Sequence, residues 1–231
     1  MKIVTFSGSY RKMNSISNEA INSLIEIIET EQDISGVTSY SADNIELYNC
    51  KGCCNCFVNG ACSIDDDLRM IKKDILDSNL FVLASPVFAH NVSGVVKTLI
   101  DRLASMSHCM ELIGRYAIVI IVTDGNGADY VSEYLTKILQ YFGFLIIGEI
   151  IIKSKGISKS AIKSIVRIES KKIIKQFNSR EIGISQSQEE YFQALKRNMK
   201  FISRDLYEKK VWELKKLGQF NEFKSAFEYL K

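Results

Sequence analysis

The stretch KIVTFSGSYRKMNSIS, residues 2–17, joins a short apolar run to a Gly/Ser-rich turn and the start of an amphipathic pattern. Lys2–Phe6 has the β-branched and aromatic content of a buried strand. Apolar side chains then recur at helical spacing, at Ile16, Ala20, Leu24, Ile27 and Ile28. A strand, a tight turn and a helix in this order form the repeating unit of α/β proteins.

The same alternation recurs along the first 180 residues. Further strands are predicted within Val37–Tyr48 and at Leu80–Ser85, Tyr116–Thr123 and Leu145–Ile152. Further helices are predicted at Asp65–Asp77, Val92–Met106, Ala128–Tyr141 and Ser158–Gln176, the last with Ser158 as its N-cap. Five strands alternating with five helices predict an α/β fold with a doubly wound, mostly parallel sheet.

The composition is that of an ordinary globular protein. Of the 231 residues, 46% are hydrophobic and 25% are charged, and the formal net charge is only +3. This charge is small and evenly spread, so no nucleic-acid partner is expected. No apolar stretch approaches the length of a membrane span, and no membrane partner is expected either. Met1 leads into the first predicted strand without a signal-peptide pattern, so we expect a cytoplasmic location.

The turn after the first strand carries groups that suit an anion. Such a turn lies at the carboxyl edge of a parallel sheet, where backbone N–H groups and a helix N-terminus are available. The side chains that add donors there are Ser9, Arg11, Asn14, Ser15 and Ser17. The turn has neither the Gly-Lys-Ser/Thr ending of a Walker loop nor a G-x-G-x-x-G pattern. An ordinary polar turn with a Ser or Asn cap is the alternative interpretation.

Two further loops follow predicted strands at the same edge. Residues 85–94, SPVFAHNVSG, contain the single proline of the chain, Pro86, where the loop leaves the sheet. This loop also carries His90, which we expect either to contact a bound ring or substrate or to lie on the surface. Residues 123–128, TDGNGA, contain Gly125 and Gly127, which permit the close approach of a flat ligand. Together the three loops are predicted to hold a phosphate, a ribityl chain and a ring.

Five of the six cysteines fall within the loop 50–62. Cys50, Cys53, Cys56 and Cys62 follow a C-x2-C-x2-C-x5-C spacing, which favours metal or redox chemistry in a reducing compartment. Three thiolates two residues apart can wrap one face of an iron–sulfur cluster, and a fourth can close it. Zinc, a Cys53–Cys56 redox pair and metal-free thiols are the alternatives.

The surroundings of this cysteine-rich loop are also predictable. Because it follows the second strand, we expect it at the same sheet edge as the three loops. Cys54 and Cys109 lie outside the pattern and are expected to be buried free thiols. Asp65, Asp66 and Asp67 are expected to cap the helix that follows them.

The C-terminal part of the chain differs in composition. Nine aromatic residues lie between Ser187 and Lys231, and apolar residues such as Phe192, Leu195 and Met199 keep helical spacing. We therefore predict a domain over residues 1–180 and a helical C-terminal extension over residues 181–231. The extension either packs on its own domain or forms an arm that grips a second subunit or covers the site.

The loop motifs carry a family resemblance. GSYRKMNS (8–15), SPVFAHNVSGVVKTLIDR (85–102) and TDGNG (123–127) resemble those of the flavodoxin-like NAD(P)H-dependent FMN reductases, over about residues 1–180. With the cysteine spacing and the acidic pair Asp65-Asp66, the chain is most similar to the iron–sulfur flavoprotein branch. Two departures are visible: Tyr10 stands where a proline is common, and Phe88 stands where a tyrosine hydroxyl is frequent.

The resemblance implies FMN as the cofactor and a flavodoxin-like sheet. The residues implied to bind the FMN phosphate are Ser9, Arg11, Asn14 and Ser15. Those implied to line the isoalloxazine ring are Pro86, Val87, Phe88 and Ala89 on one edge and Gly125 and Gly127 on the other. The resemblance also implies a homodimer or homotetramer with flavin sites near subunit interfaces.

These observations predict an FMN-dependent oxidoreductase. Electrons would pass from NAD(P)H or a reduced carrier to a small acceptor, with or without a [4Fe-4S] cluster on the way. The flavin carries this chemistry, so no catalytic side chain is predicted. The alternatives are a flavin electron-transfer protein without a substrate of its own and a cysteine-based redox sensor.

Overall fold

The strands of the computed structural model lie where the apolar runs predict them. The structure describes residues 1–179 and 183–231. Within these residues the strands are β1 (Lys2–Ser7), β2 (Gly36–Ser41), β3 (Leu80–Pro86), β4 (Tyr116–Thr123) and β5 (Leu145–Lys153). β2 occupies the start of the window in which the second strand was expected.

All five strands pair in parallel, in the order β2-β1-β3-β4-β5. The chain first moves outward from β1 to β2 and then reverses to β3 on the other side of β1. In open α/β sheets this reversal opens a crevice at the carboxyl ends of the strands, here between β1 and β3. The predicted doubly wound sheet is confirmed, and its order is that of a flavodoxin-like fold.

Helices cover both faces of the sheet. Their bounds are α1 (Ile16–Glu31), α2 (Asn55–Asn59), α3 (Leu68–Asp77), α4 (Gly94–Arg102), α5 (Ala128–Phe142) and α6 (Lys159–Ser179). α1 and α6 bury Leu24 and Val166 on one face, whereas α3, α4 and α5 bury Ile71, Leu99 and Leu135 on the other. Apolar side chains on both faces explain why the strands read as continuous hydrophobic runs.

Three local differences from the predicted helices have physical reasons. α3 begins at Leu68 rather than Asp65, because Asp66 and Asp67 bind backbone N–H groups of residues 46–48 instead of extending the helix. α4 ends at Arg102, where the Leu103 N–H is shared between two carbonyls and a 3₁₀ turn, Ala104–Cys109, follows. The short helix α2 inside the cysteine-rich loop was not predicted.

The C-terminal extension packs against its own domain. Helices α7 (Gln186–Asn198), α8 (Tyr207–Leu214) and α9 (Phe223–Leu230) form a third apolar core with Cys109, Met110 and Ile113. Of the two expected arrangements, the extension therefore adopts the one in which it packs on its own domain. The predicted domain boundary between residues 180 and 181 lies outside the described residues. None of the helices in the described part of the chain combines the length and apolarity needed to cross a membrane.

Candidate functional site

The loop after β1 is drawn tightly against the loop after β3. The Gly8 N–H donates to the Ala84 carbonyl at 2.8 Å. A Cβ on Gly8 would lie 2.4 Å from Ser93 Oγ and 2.5 Å from Val96, so this close approach requires glycine. The residues that follow are thereby placed at the β1/β3 crevice.

The same loop leads into a well-capped helix. Ser15 is the N-cap of α1, and its Oγ accepts the Asn18 N–H at 3.1 Å. The Ser15 hydroxyl proton remains available to a ligand, because a hydroxyl accepts and donates at once. Ser9 is buried and accepts the Arg11 N–H at 3.3 Å. Asn14 lies exposed in the 3₁₀ turn Lys12–Asn14.

Arg11 is the charged group of this loop. Its side chain is exposed and has no hydrogen-bond or ion-pair partner among the described residues. The guanidinium therefore stands free next to the N-terminus of a 16-residue helix, whose dipole also favours an anion.

The loop after β3 forms a two-residue turn. Phe88 and Asn91 exchange two backbone hydrogen bonds of 2.8 and 2.9 Å around Ala89 and His90. These two residues have φ values of 49° and 62°, the left-handed region that glycine and asparagine usually occupy in such turns. The His90 ring is exposed and lies 5.5 Å from the Tyr130 ring, measured between centroids.

The loop after β4 approaches the turn at Ala89 and His90 closely at Gly127. Gly127 has a φ of 81°, and a Cβ there would lie 3.0 Å from Val87 and 3.1 Å from His90. A Cβ added to Gly125 would have no neighbouring atom within 4 Å, so this glycine faces open space. The two glycines therefore serve different purposes: one closes the contact between loops, and the other leaves room.

The three loops and the end of β5 enclose one cleft. Its lining residues are Ser9, Tyr10, Arg11, Ile16, Ser17, Pro86, Val87, Phe88, Val122, Asp124 and Ser154. Six of the predicted residues are among them, while Asn14, Ser15, Ala89, His90, Gly125 and Gly127 lie in the same loops without lining this cleft. Sequence reasoning missed Asp124 and Ser154, which hydrogen-bond to each other. The rule that ligands bind at strand carboxyl ends, applied to β5, would have found Ser154.

The donors around this cleft suit the phosphate and ring of FMN. The Arg11 guanidinium and the residues Ser9 and Ser17 line the cleft at the start of α1. Pro86, Val87 and Phe88 line the same cleft and offer a largely apolar surface to a flat ring. These groups match the chemistry of FMN, which combines an anionic phosphate with a flat ring.

The cysteine-rich loop leaves the sheet where it was expected and then follows α4. It leaves β2 at the carboxyl edge, where the Ala42 N–H donates to the Ser7 carbonyl. It then runs along α4, with Asn49 bonded to Thr98 and the Tyr48 carbonyl bonded to Arg102. Because α4 returns antiparallel to the strands, its end lies toward the opposite edge of the sheet. The loop therefore emerges at the expected sheet edge, and Cys56 and Cys62 lie beside Ser105 and Arg102, at and beyond the end of α4.

A buried ion pair fixes this path. Asp66 and Arg102 have fully buried side chains and form two hydrogen bonds of 2.7 and 3.0 Å. Asp66 also accepts the backbone N–H groups of Tyr48 and Leu68. Burial raises the pKa of Asp66, but the Arg102 guanidinium and these N–H groups outweigh it and hold the pKa below its ordinary value.

The thiols of this loop point to different partners. The Cys53 thiol lies 3.4 Å from the Ser63 hydroxyl, which lowers its pKa. Burial raises the pKa of Cys56, which lies beside Ser105, while Cys62 lies beside Arg102. Within residues 1–179 and 183–231, no three metal-ligating side chains come close enough to share a metal ion. The four thiols are chemically suited to a cluster, but their side chains are not gathered around one point.

The remaining predicted residues near this loop have mixed outcomes. Cys109 is buried, as expected, whereas Cys54 is exposed at the left-handed N-cap of α2, so the expectation of burial is wrong there. His108 places Nδ1 2.8 Å from a Glu208 carboxylate oxygen.

The sheet order and the cleft at its switch point define a flavodoxin-like protein. A family model described as NADPH-dependent FMN reductase matches residues 1–156, and the chain therefore belongs to that family. The predicted fold class, family and iron–sulfur flavoprotein branch are confirmed, and the family is one of oxidoreductases.

Two relatives and one solved structure illustrate the similarity. The chain is 32% identical to an iron-sulfur flavoprotein of Archaeoglobus fulgidus, over 64% of this chain and 66% of that protein. It is 31% identical to an iron-sulfur flavoprotein of Methanocaldococcus jannaschii, over 66% of this chain and 75% of that protein. The chain thus spans just under two thirds of the Archaeoglobus relative. The apo form of an NADH:FMN oxidoreductase shares the fold with a TM-score of 0.55 at 14% identity, over 81% of this chain and 92% of that one.

Proposed function

We propose that this protein is an FMN-dependent oxidoreductase that passes electrons from NAD(P)H or a reduced carrier to a small acceptor. The observation that carries the proposal is the cleft at the β1/β3 switch point, which is lined by the unpartnered Arg11 guanidinium and by Pro86, Val87 and Phe88. Bound FMN would supply both hydride and single-electron chemistry there.

The chain's own residues would position the cofactor. Arg11, with the hydroxyls of Ser9, Ser15 and Ser17 and the amide of Asn14, would hold the phosphate. The segment from Pro86 to His90 and the glycines Gly125 and Gly127 would set the place of the ring. No side chain is assigned as an acid or base.

Exposed aromatic side chains lie in and near this cleft. Tyr10 and Phe88, which are 62% and 53% exposed, line it, and Tyr130, which is 63% exposed, packs beside His90 in the loop after β3. Such side chains suit stacking of a nicotinamide or another flat ring, and they also suit contact with a second copy of the chain. We therefore propose a homodimer or homotetramer, and light scattering of the purified protein would test the oligomeric state. We also propose a cytoplasmic location.

We further propose that Cys50, Cys53, Cys56 and Cys62 hold a [4Fe-4S] cluster. Their thiols are free and at least partly accessible, and the relatives are named iron-sulfur flavoproteins. Gathering the thiols around one cluster requires the loop to change its path, and its helix α2 contributes no buried residue to the core. Iron, sulfide and zinc analysis of anaerobically purified protein tests the proposal. Zinc in place of iron, or no metal at all, would contradict it.

The phosphate assignment has a direct test. Arg11→Ala is expected to weaken FMN binding by about 10- to 100-fold, because a charge-assisted hydrogen bond contributes about 1.5–3 kcal/mol. Riboflavin lacks the phosphate, so its affinity should not change. Arg69→Ala, at an exposed arginine on α3, is the matched control. Equal weakening of FMN and riboflavin would place Arg11 elsewhere than at the phosphate.

The direction of electron flow needs a second experiment. FMN-loaded protein is mixed with NADH or NADPH and a quinone or nitro acceptor, and nicotinamide oxidation is followed. Turnover supports the oxidoreductase proposal. Failure to oxidise either nicotinamide, combined with rapid reduction by a reduced ferredoxin-type carrier, would favour the electron-transfer alternative.

A further inference from the structure

The cysteine-rich loop has almost no core of its own. Its one regular element, α2, is five residues long and contributes no buried side chain. Left-handed residues bound it on both sides, Cys54 with a φ of 58° and Gly60 with a φ of 77°. A helix this short is not stable by itself, so contacts from elsewhere must hold the loop in place.

One such contact comes from the first residue of α8. The Tyr207 ring lies against Gly60 so closely that a Cβ on Gly60 would be 2.2 Å from the ring. The Tyr207 hydroxyl hydrogen-bonds to the carboxylate of Glu111, whose side chain is 5% exposed. Gly60 therefore meets a tyrosine whose other end is fixed in the interior.

A lysine of α3 joins the same contact. Lys72 Nζ donates to the Gly60 carbonyl at 3.1 Å and lies 3.4 Å from a Glu111 carboxylate oxygen. It also lies 5.0 Å from the centroid of the Tyr207 ring. The four groups form a small network in which the loop backbone, α3 and α8 meet.

The second contact comes from the next residue of α8. Glu208 is mostly buried and lies 2.8 Å from Nδ1 of His108. The His108 ring in turn packs edge-on against Phe57 of α2, with 4.7 Å between centroids. Phe57 is adjacent to Cys56, so this contact reaches the middle of the cysteine pattern.

α8 is itself firmly held. Val211 and Trp212, one turn after Tyr207 and Glu208 on the same face of the helix, are buried in the apolar core of the C-terminal extension. The buried face of α8 is therefore fixed in this core and, at its first turn, also meets the cysteine-rich loop.

We propose that α8 is the element of the C-terminal extension that positions the cysteine-rich loop, with Tyr207 and Glu208 as its positioning residues. This assigns a role to the extension that goes beyond the proposed oxidoreductase function. It holds whether the thiols bind a cluster, bind zinc or stay free, so the test is made without metal.

The test measures thiol reactivity in the full-length, reduced and chelator-treated chain. Alkylation rates of individual cysteines are followed by mass spectrometry of peptides. Tyr207→Ala is expected to raise the alkylation rate of Cys62 by about tenfold. A protected thiol reacts only when the loop opens locally, and loss of the Tyr207 ring makes this opening more frequent. Glu208→Ala should act mainly on Cys56. Cys50, Cys53 and Cys54 are already exposed, so their rates should not change.

Controls separate positioning from loss of fold. Tyr207→Phe keeps the ring against Gly60 and should restore most of the protection of Cys62. Tyr229→Ala removes a half-exposed tyrosine of the same extension, which contacts Phe220 and not the loop, and should change no rate. Buried Cys109 reports on the core and should stay protected in every variant.

Three results would overturn the proposal. The first is unchanged Cys56 and Cys62 rates in Tyr207→Ala and Glu208→Ala. The second is equal acceleration in Tyr229→Ala. Exposure of Cys109 in Tyr207→Ala would mean that this variant disturbs the core, and the milder Glu208→Ala variant then provides the test. The third result is an unchanged alkylation rate of Cys56 in Glu208→Ala.

Discussion

At the scale of single residues, the loop after β4 shows how neighbouring glycines acquire different roles. Gly127 has a left-handed backbone and touches Val87 and His90, whereas Gly125 has an ordinary φ and open surroundings. The first belongs to the packing of the loops, and the second borders open space, where we propose that the flavin lies.

This difference predicts opposite consequences for the same substitution. Gly127→Ala is expected to lower the free energy of unfolding by about 1–3 kcal/mol, because a Cβ is strained there. Gly125→Ala should change stability by less than about 0.5 kcal/mol but weaken FMN binding. Denaturant unfolding of FMN-free protein and FMN titration measure the two effects. A Gly127→Ala variant as stable as the parent protein would contradict this assignment.

At the scale of elements, the Asp66–Arg102 pair joins α3, α4 and the start of the cysteine-rich loop. Asp66 was expected only to cap a helix, but its carboxylate binds a guanidinium and two backbone N–H groups at once. Removing one member of a buried pair leaves the other uncompensated, which is the costly case.

We therefore expect Asp66→Asn to lower the free energy of unfolding at pH 7 by about 3–5 kcal/mol. The folded pKa of Asp66 is lowered, so its contribution is present above the unfolded value of about 3.9 and is lost as pH falls through the folded pKa. Asp66→Asn lacks this titrating carboxylate. Its free energy of unfolding should therefore fall less between pH 5 and more acidic pH than that of the parent protein. Asp65→Asn, at an exposed neighbour, is the control. Parallel pH profiles for the parent protein and Asp66→Asn would argue against the pair.

At the scale of the whole molecule, the C-terminal extension completes the core. Phe192, Trp212 and Phe227 pack with Met110 and Ile113, which precede β4. The Leu230 carbonyl approaches Gly114 so closely that a Cβ on Gly114 would lie 2.5 Å from it. The extension and the sheet therefore share apolar surface that neither could bury alone.

Trp212 is the single tryptophan of the chain and lies in that shared core. Its fluorescence reports unfolding of the extension, while far-UV circular dichroism also reports the helices around the sheet. We expect the two denaturant transitions to coincide, because the two parts form one cooperative unit. A fluorescence midpoint well below the circular dichroism midpoint would mean that the extension unfolds independently.

The fold was readable from particular stretches of the chain. The run Tyr116–Thr123 predicts β4 with its observed bounds, because a strand buried on both faces needs continuous apolar residues. Ser158 accepts the Ala161 N–H as the predicted N-cap, since short-range hydrogen bonds depend on neighbours in sequence. Strand order and the cysteine path were less accessible, because they depend on contacts between residues far apart.

Local pattern alone determined the α/β class, the three polar loops and their meeting at one sheet edge. Hydrophobic periodicity and turn chemistry act over a few residues, and the carboxyl-edge rule then follows from parallel pairing. Only the tertiary structure decided that the cysteine-rich loop turns away along α4 and rests on Tyr207 and Glu208. That outcome depends on a buried ion pair across 36 residues and on a ring packed against a glycine about 150 residues away in the chain. Such long-range complementarity leaves no periodic signal in the sequence.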